Sequence, residues 1–216
     1  MQDILYTIGH SNGTLEKLLS LIKLAGVNCI IDVRSMPASA YSPHFNKESL
    51  NQFLRINGVL YGHFGEEFGA RRTDSVVAGQ VNFEKAVTTE AFLRGVRRIE
   101  NGLTKGFKIA FMCSEAKPLE CHRFSMISRY FVDQGYEVNH ILHSEEIVPH
   151  SDLESEMISE YVKRKKLNEI DQMFGEYSAE AQREDAYRLK NKEIGYKPGE
   201  EYEKQEYDNT LHNWFY

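Results

Sequence analysis

The residues best suited to chemistry lie in FMCSEAKPLECHR, where positions 113–123 hold two thiols, two carboxylates, an imidazole and a guanidinium. An apolar run ends at Cys113, and a helical pattern starts near Cys121. A helix N-terminus offers unpaired backbone N–H groups and a partial positive charge. That setting favours a thiolate and an anion such as phosphate beside Ser114, Cys121 and Arg123, and the guanidinium can add paired hydrogen bonds. Several readings stay open. In one, Cys113 or Cys121 is a nucleophile while Glu115 or His122 moves the proton. In a second, the cysteines form a reversible disulfide, at a spacing wider than the C-x-x-C of thioredoxin-like sites. In a third, Cys113, Cys121 and a histidine ligate zinc or iron, without a second Cys/His pair at the usual spacing. The plain alternative packs one cysteine as a small apolar side chain and pairs Glu115 with Arg123.

Three further segments supply polar groups. In IIDVRSMPASAYSPHF, residues 30–45, Asp32 is a candidate general base or ribose ligand and Arg34 a candidate anion ligand; the plain alternative is that they pair with each other. In TIGHSN, residues 7–12, Gly9 permits a close turn, with His10 a candidate catalytic group and Ser11 a candidate ligand contact. In YGHFGEEFGARR, residues 61–72, the glycines and Arg71 suit a mobile loop over an anionic ligand. Arg72 is expected to be solvated there. The segment has neither the P-loop ending nor the dinucleotide fingerprint. Arg94, Arg97 and Arg98 are expected on a solvated helix face, and Cys29 in the core.

The elements that must position these groups follow from periodicity. Leu5–Ile8, Cys29–Val33, Val59–Tyr61, Ile109–Met112 and Val138–Leu142 read as strands, the last closing the sheet. Between them, Leu15, Leu18, Leu19 and Ile22 share a helical face behind an N-cap at Thr14. Leu50, Phe53 and Leu54 mark a second helix, Phe92, Val96, Ile99 and Leu103 a third, and Phe124, Ile127 and Phe131 a fourth. Strands alternating with helices predict an α/β fold: a mainly parallel sheet of about five strands with helices on both faces, Rossmann-like and three-layered, plus a C-terminal helical extension. Ligands of such sheets bind at the carboxyl ends of the strands. His10, Asp32, Arg34 and Cys113 all follow strands, so they are expected around one cleft.

Residues 1–150 carry equal numbers of acidic and basic side chains, so the net charge of −6 falls wholly on residues 151–216. This divides the chain into a 1–150 α/β domain carrying the site and a 151–216 acidic, helical extension with a polar tail packed on it. A globally acidic chain lacks the broad basic surface of non-specific nucleic-acid binders. Three cysteines make a poor disulfide framework, and MQDILYTIGH has no signal-peptide pattern, which predicts a cytoplasmic protein without a membrane partner.

The ordered set TIGHS, DVRSMPASAYSPHF, the 61–72 loop and CSEAKPLECHR resembles the family catalogued as domain of unknown function 488, with AYRLKNKEIGYK extending the likeness over roughly residues 4–195. The resemblance implies a site at Gly9, His10, Ser11, Asp32, Arg34, Pro37, Phe45, Cys113, Glu115, Cys121, His122 and Arg123. The chain departs from the family at EEFGARR, where a Leu-Gly-Gly type sequence is usual; Ala70 adds bulk there. The expected function is an enzyme on a phosphate-bearing, nucleotide-like small molecule or nucleic-acid end. Cys113, Glu115, His10, Asp32 and His122 are its candidate catalytic groups. Alternatives are a metal-binding or thiol-redox protein using Cys113 and Cys121, and a non-enzymatic partner-binding module. Cofactor, metal and oligomeric state are not assigned by the sequence.

Overall fold

The computed structural model describes residues 4–165 and 177–199. Its sheet is built from β1 (Ile4–Gly9), β2 (Cys29–Asp32), β3 (Leu60–His63), a β4–β5 hairpin set apart (Val76–Val77, Gln80–Val81), β6 (Ile109–Cys113), β7 (Glu137–Ile141) and β8 (Ile147–Pro149). The six strands of the main sheet run in the order β3-β2-β6-β1-β7-β8. All neighbours are parallel except β7 and β8. The Rossmann-like three-layer α/β expectation therefore holds. One correction is β8: the chain turns back after β7 and adds an antiparallel edge strand, so β7 does not close the sheet.

Side chains alternate across the strands. Leu5, Cys29, Ile31, Ile109, Phe111 and Val138 enter one apolar cluster, while Ile8, Ile30, Ala110, Met112 and Ile141 enter the other. The second cluster is covered by α1 (Leu15–Leu24) and α2 (Lys47–Ile56) through Leu18, Leu21, Ile22, Leu50 and Leu54. Thr14 caps α1, its hydroxyl accepting from Lys17 N at 3.2 Å. The first cluster is covered by α5 (Glu90–Thr104) and the segment Arg123–Asp133, with short helices α3 (Gly65–Phe68) and α4 (Phe83–Ala86) beside them. Arg123–Ser128 is a π-helical turn, and α6 (Arg129–Asp133) continues it.

This topology makes a crevice. The connections leaving β1 and β2 cross one face, and the connection leaving β6 crosses the other. Because β6 lies between β1 and β2, its carboxyl end is flanked on both sides by chains departing the opposite way, the condition for a ligand crevice. Cys113 sits at that end.

Beyond β8, α7 (His150–Lys165) and α8 (Ala179–Ile194) pack together on Phe124 through Met157, Tyr161, Ala186 and Tyr187. A buried polar chain ties them to the sheet. Thr7 Oγ1 meets His140 Nδ1 at 2.7 Å, His140 Nε2 meets His150 Nδ1 at 3.1 Å, and His150 Nε2 meets the Tyr187 hydroxyl at 2.8 Å. Tyr187 donates onward to Glu154 at 2.6 Å, so its oxygen accepts from His150 Nε2–H; with both imidazoles neutral, every donor then runs one way from Thr7 to Glu154. Burial lowers the pKa of each, that of His150 to about 3. No helix among the described residues is long and apolar enough to cross a membrane.

Candidate functional site

The loop leaving β6 is pinned against β1. His10 N donates to Cys113 O at 2.9 Å and Ser11 N to Ser114 O at 2.8 Å. The approach leaves no room at Gly9, where an added Cβ would stand 1.8 Å from Glu115 O; only glycine fits. From the other side Arg123, fully buried, donates to Glu115 O at 2.7 Å and Ala116 O at 3.0 Å. Arg123 thus shapes the loop through its carbonyls, and it does not meet the Glu115 carboxylate as the plain alternative has it.

The pinned loop then folds back through a 3-10 turn at Pro118–Glu120, returning Cys121 and His122 to Cys113. When both are protonated, the thiols donate to Glu115 Oε2, Cys113 at 2.9 Å and Cys121 at 3.2 Å. His122 Nδ1 lies 3.9 Å from Cys113 Sγ and 3.7 Å from Cys121 Sγ. Arg123 N points at Cys121 Sγ from 3.5 Å. All three cysteines of the chain are free thiols. Burial opposes ionisation of Cys121, but the Cys113 hydrogen bond, then Arg123 and His122, outweigh it and hold this thiol well below its ordinary pKa. Cys113 moves the opposite way, chiefly through the same hydrogen bond and then through burial. Removing the first proton is easy and removing the second is hard, a property of the pair. Burial also disfavours a charged His122, yet the Cys121 thiolate prevails and raises its pKa. His122 Nε2 is buried without a partner among the described residues.

A second network lies under the pocket. Asp32, fully buried, takes paired hydrogen bonds from Arg34 at 2.9 and 2.6 Å and a third from the Tyr61 hydroxyl at 2.7 Å. Arg34 also donates to Phe45 O at 2.8 Å and to His10 Nε2 at 3.0 Å. That leaves His10 Nδ1–H to donate to Ser11 O at 2.7 Å, with the ring stacked on Phe45 at 4.1 Å. Burial and then Arg34 lower the His10 pKa to about 4. Asp32 and His10 therefore fix Arg34.

A pocket of about 180 Å³ opens above these networks, lined by Arg34, Arg71, Cys113, Glu115, Cys121 and His122 among others. Ser114 also lines it, whereas Asp32, His10, Ser11 and Arg123 do not. Arg71 reaches over Met36, NH1 to Sδ 3.3 Å, and lies 5.5 Å from the Tyr196 ring. Sequence reasoning missed Ser35, Met36, Glu120 and Ile194 in the wall. Ser35 and Met36 stand beside Arg34 in a segment already singled out, so position alone could have found them. Nothing in the sequence marks Ile194, which arrives from α8. Arg72 corrects an expectation. It is buried, bonded to the Glu66 and Glu67 carbonyls, Asp74 and Thr89, because the α3 C-terminus needs its last carbonyls satisfied. Arg97 and Arg98 are exposed on α5, as expected, although Arg98 also lies over the Phe64 ring and pairs with Glu67; Arg94 is half-buried, and Cys29 is core.

A family model described as Domain of unknown function DUF488 matches residues 14–130. No curated protein and no solved structure matches the chain.

Proposed function

The chain belongs to the DUF488 family, whose description names no activity, and from that starting point we propose that it is an enzyme acting on the phosphate-bearing end of a nucleotide-like molecule or nucleic acid. The observation carrying this reading is one pocket that combines two arginines with the Cys113–Glu115–Cys121–His122 cluster. Arg34, held in place by Asp32 and His10, and Arg71, which crosses the rim, recognise the anion. The cluster supplies proton-transferring and nucleophilic or metal-ligating groups. At about 180 Å³ the space falls below the roughly 300 Å³ at which whole-ligand pockets begin. It suits a phosphate-sized group, with the rest of the substrate lying outside along the 35–44 loop and Ile194.

Titration calorimetry with inorganic phosphate and nucleoside monophosphates tests this reading. Binding should weaken about tenfold or more in Arg71→Ala, a loss of about 1.4 kcal/mol, and stay unchanged in Arg97→Ala on the exposed face of α5. Equal affinity in the two variants would refute the anion assignment.

A further inference from the structure

We infer that Cys113, Cys121 and His122 form a binding site for a divalent ion of the zinc class, with its fourth coordination position open to the pocket. The inference deepens the reading above and rests on the same pocket.

The geometry comes first. Sγ of Cys113, Sγ of Cys121 and a ring nitrogen of His122 lie within 4.8 Å of one another, all three residues buried. Around a tetrahedral ion with metal–sulfur bonds of about 2.3 Å and metal–nitrogen bonds of about 2.0 Å, sulfur and nitrogen ligands stand about 3.5 Å apart. The two observed sulfur–nitrogen separations are 3.9 and 3.7 Å. The differences of about 0.4 and 0.2 Å are within the reach of side-chain rotation.

The donor chemistry comes second. Two thiolates and one imidazole are the soft-to-borderline set that selects zinc over magnesium or calcium. Two thiolates cancel the charge of the ion. The Arg123 N–H aimed at Cys121 Sγ from 3.5 Å is the kind of outer hydrogen bond that orients a thiolate ligand.

Third, the count is three. Glu115 stands outside the three-atom group, its Oε2 at hydrogen-bond distance from both sulfurs. Three protein ligands with an open position define a reactive zinc site, and four define a closed structural one. All three ligands and Glu115 line the pocket. A water in the open position would face the pocket, and the Glu115 carboxylate, at hydrogen-bond distance from both sulfurs, would be the group beside it able to hold a proton.

The test uses the full untagged chain, stripped with chelator under reducing conditions and re-equilibrated with Zn²⁺ or Co²⁺. One ion per chain is expected by elemental analysis. The cobalt form should show thiolate charge-transfer bands and the visible bands of tetrahedral geometry. Cys113→Ser, Cys121→Ser and His122→Gln should each lose the ion, while Cys29→Ser and Glu115→Gln keep it. Wild-type chain provides a readout that no misfolded variant can confuse: Zn²⁺ should protect Cys113 and Cys121 from alkylation and leave Cys29 unaffected. Absence of retained metal and of protection, with or without a Cys113–Cys121 disulfide, would overturn the inference. Loss of the ion in Glu115→Gln would overturn the open position. Phosphate titration of the stripped protein separates the two proposals: phosphate bound without metal uptake sinks only the ion site, and metal bound without phosphate affinity sinks only the anion reading.

Discussion

Burial of a thiol in an apolar cluster and burial of a thiol at a pocket wall have different consequences, and this chain contains both. Cys29 packs among Ile31, Ile109 and their neighbours, and burial pushes its pKa up to about 11. Cys113 and Cys121 border the same apolar cluster and are buried more deeply than Cys29, yet they line the pocket. Iodoacetamide labelling of reduced, metal-free protein should modify Cys121 first, because its thiol ionises more easily, and Cys113 later through its access to the pocket, while Cys29 stays unmodified until the chain unfolds. Equal labelling would show that the pocket does not reach the thiols. Asp32 sets a second expectation. It is the sole carboxylate on the Arg34 guanidinium among the described residues, and breaking a buried pair strands the surviving charge. Asp32→Asn should cost about 3–5 kcal/mol in urea unfolding. Tyr61→Phe, which removes one hydrogen bond from the same carboxylate, should cost only about 1 kcal/mol.

Secondary-structure elements hold these groups by close contacts of their own. Gly9 ends β1 where the Cys113 loop crosses it, so Gly9→Ala must push that loop away from Glu115 O. Overpacking of this kind costs about 1–3 kcal/mol, and phosphate affinity should fall with it; an unperturbed melt and unchanged binding would refute the contact. At the far end of α8, Asn191 accepts from Phe83 N at 2.8 Å and donates to Val81 O at 2.8 Å. Asn191→Ala strands both backbone groups, at about 1–3 kcal/mol in a thermal or urea melt, and loosens the Ile194 wall. These two elements also show how far a sequence can be read. Helices with a continuous apolar stripe, such as α1 and α5, and fully buried strands, such as β2 and β6, are legible because burial imposes their pattern. The two-residue strands β4 and β5 and the three-residue β8 are too short to show a period at all. The π turn at Arg123–Ser128 is hidden too, since an apolar stripe does not report one extra residue per turn. The thiol–imidazole cluster is legible from local spacing. The Asp32–Tyr61 bond, the buried role of Arg72 and the Thr7–His140–His150–Tyr187 chain join residues far apart, and only the fold brings them together.

For the molecule as a whole, the neutral histidines make stability depend on pH. An unfolded histidine takes up its proton near 6.5, whereas His150 in the fold resists it down to about 3. As pH falls through this interval the unfolded chain binds the proton and the folded chain does not. Stability is therefore fully present above 6.5 and lost below it, by at most about 1.4 kcal/mol per pH unit for this residue. Melting temperature measured against pH should fall over that range, and His150→Asn should flatten the curve; a wild-type melt constant from pH 7 to 5 would contradict the assignment. The sheet order has a consequence for the chain during its own synthesis. β1 and β2 emerge first but are not neighbours, because β6 belongs between them. With translation at about 5–20 residues per second, seconds pass between the release of Asp32 and the arrival of Ile109. Through that interval both early strands expose unpaired edges, the condition under which nascent chains associate wrongly. The strand that finally closes the gap is the one that ends in Cys113. Joining β1 to β2 and placing Cys113 between their carboxyl ends are thus a single event, so a nascent chain arrested before residue 109 has neither.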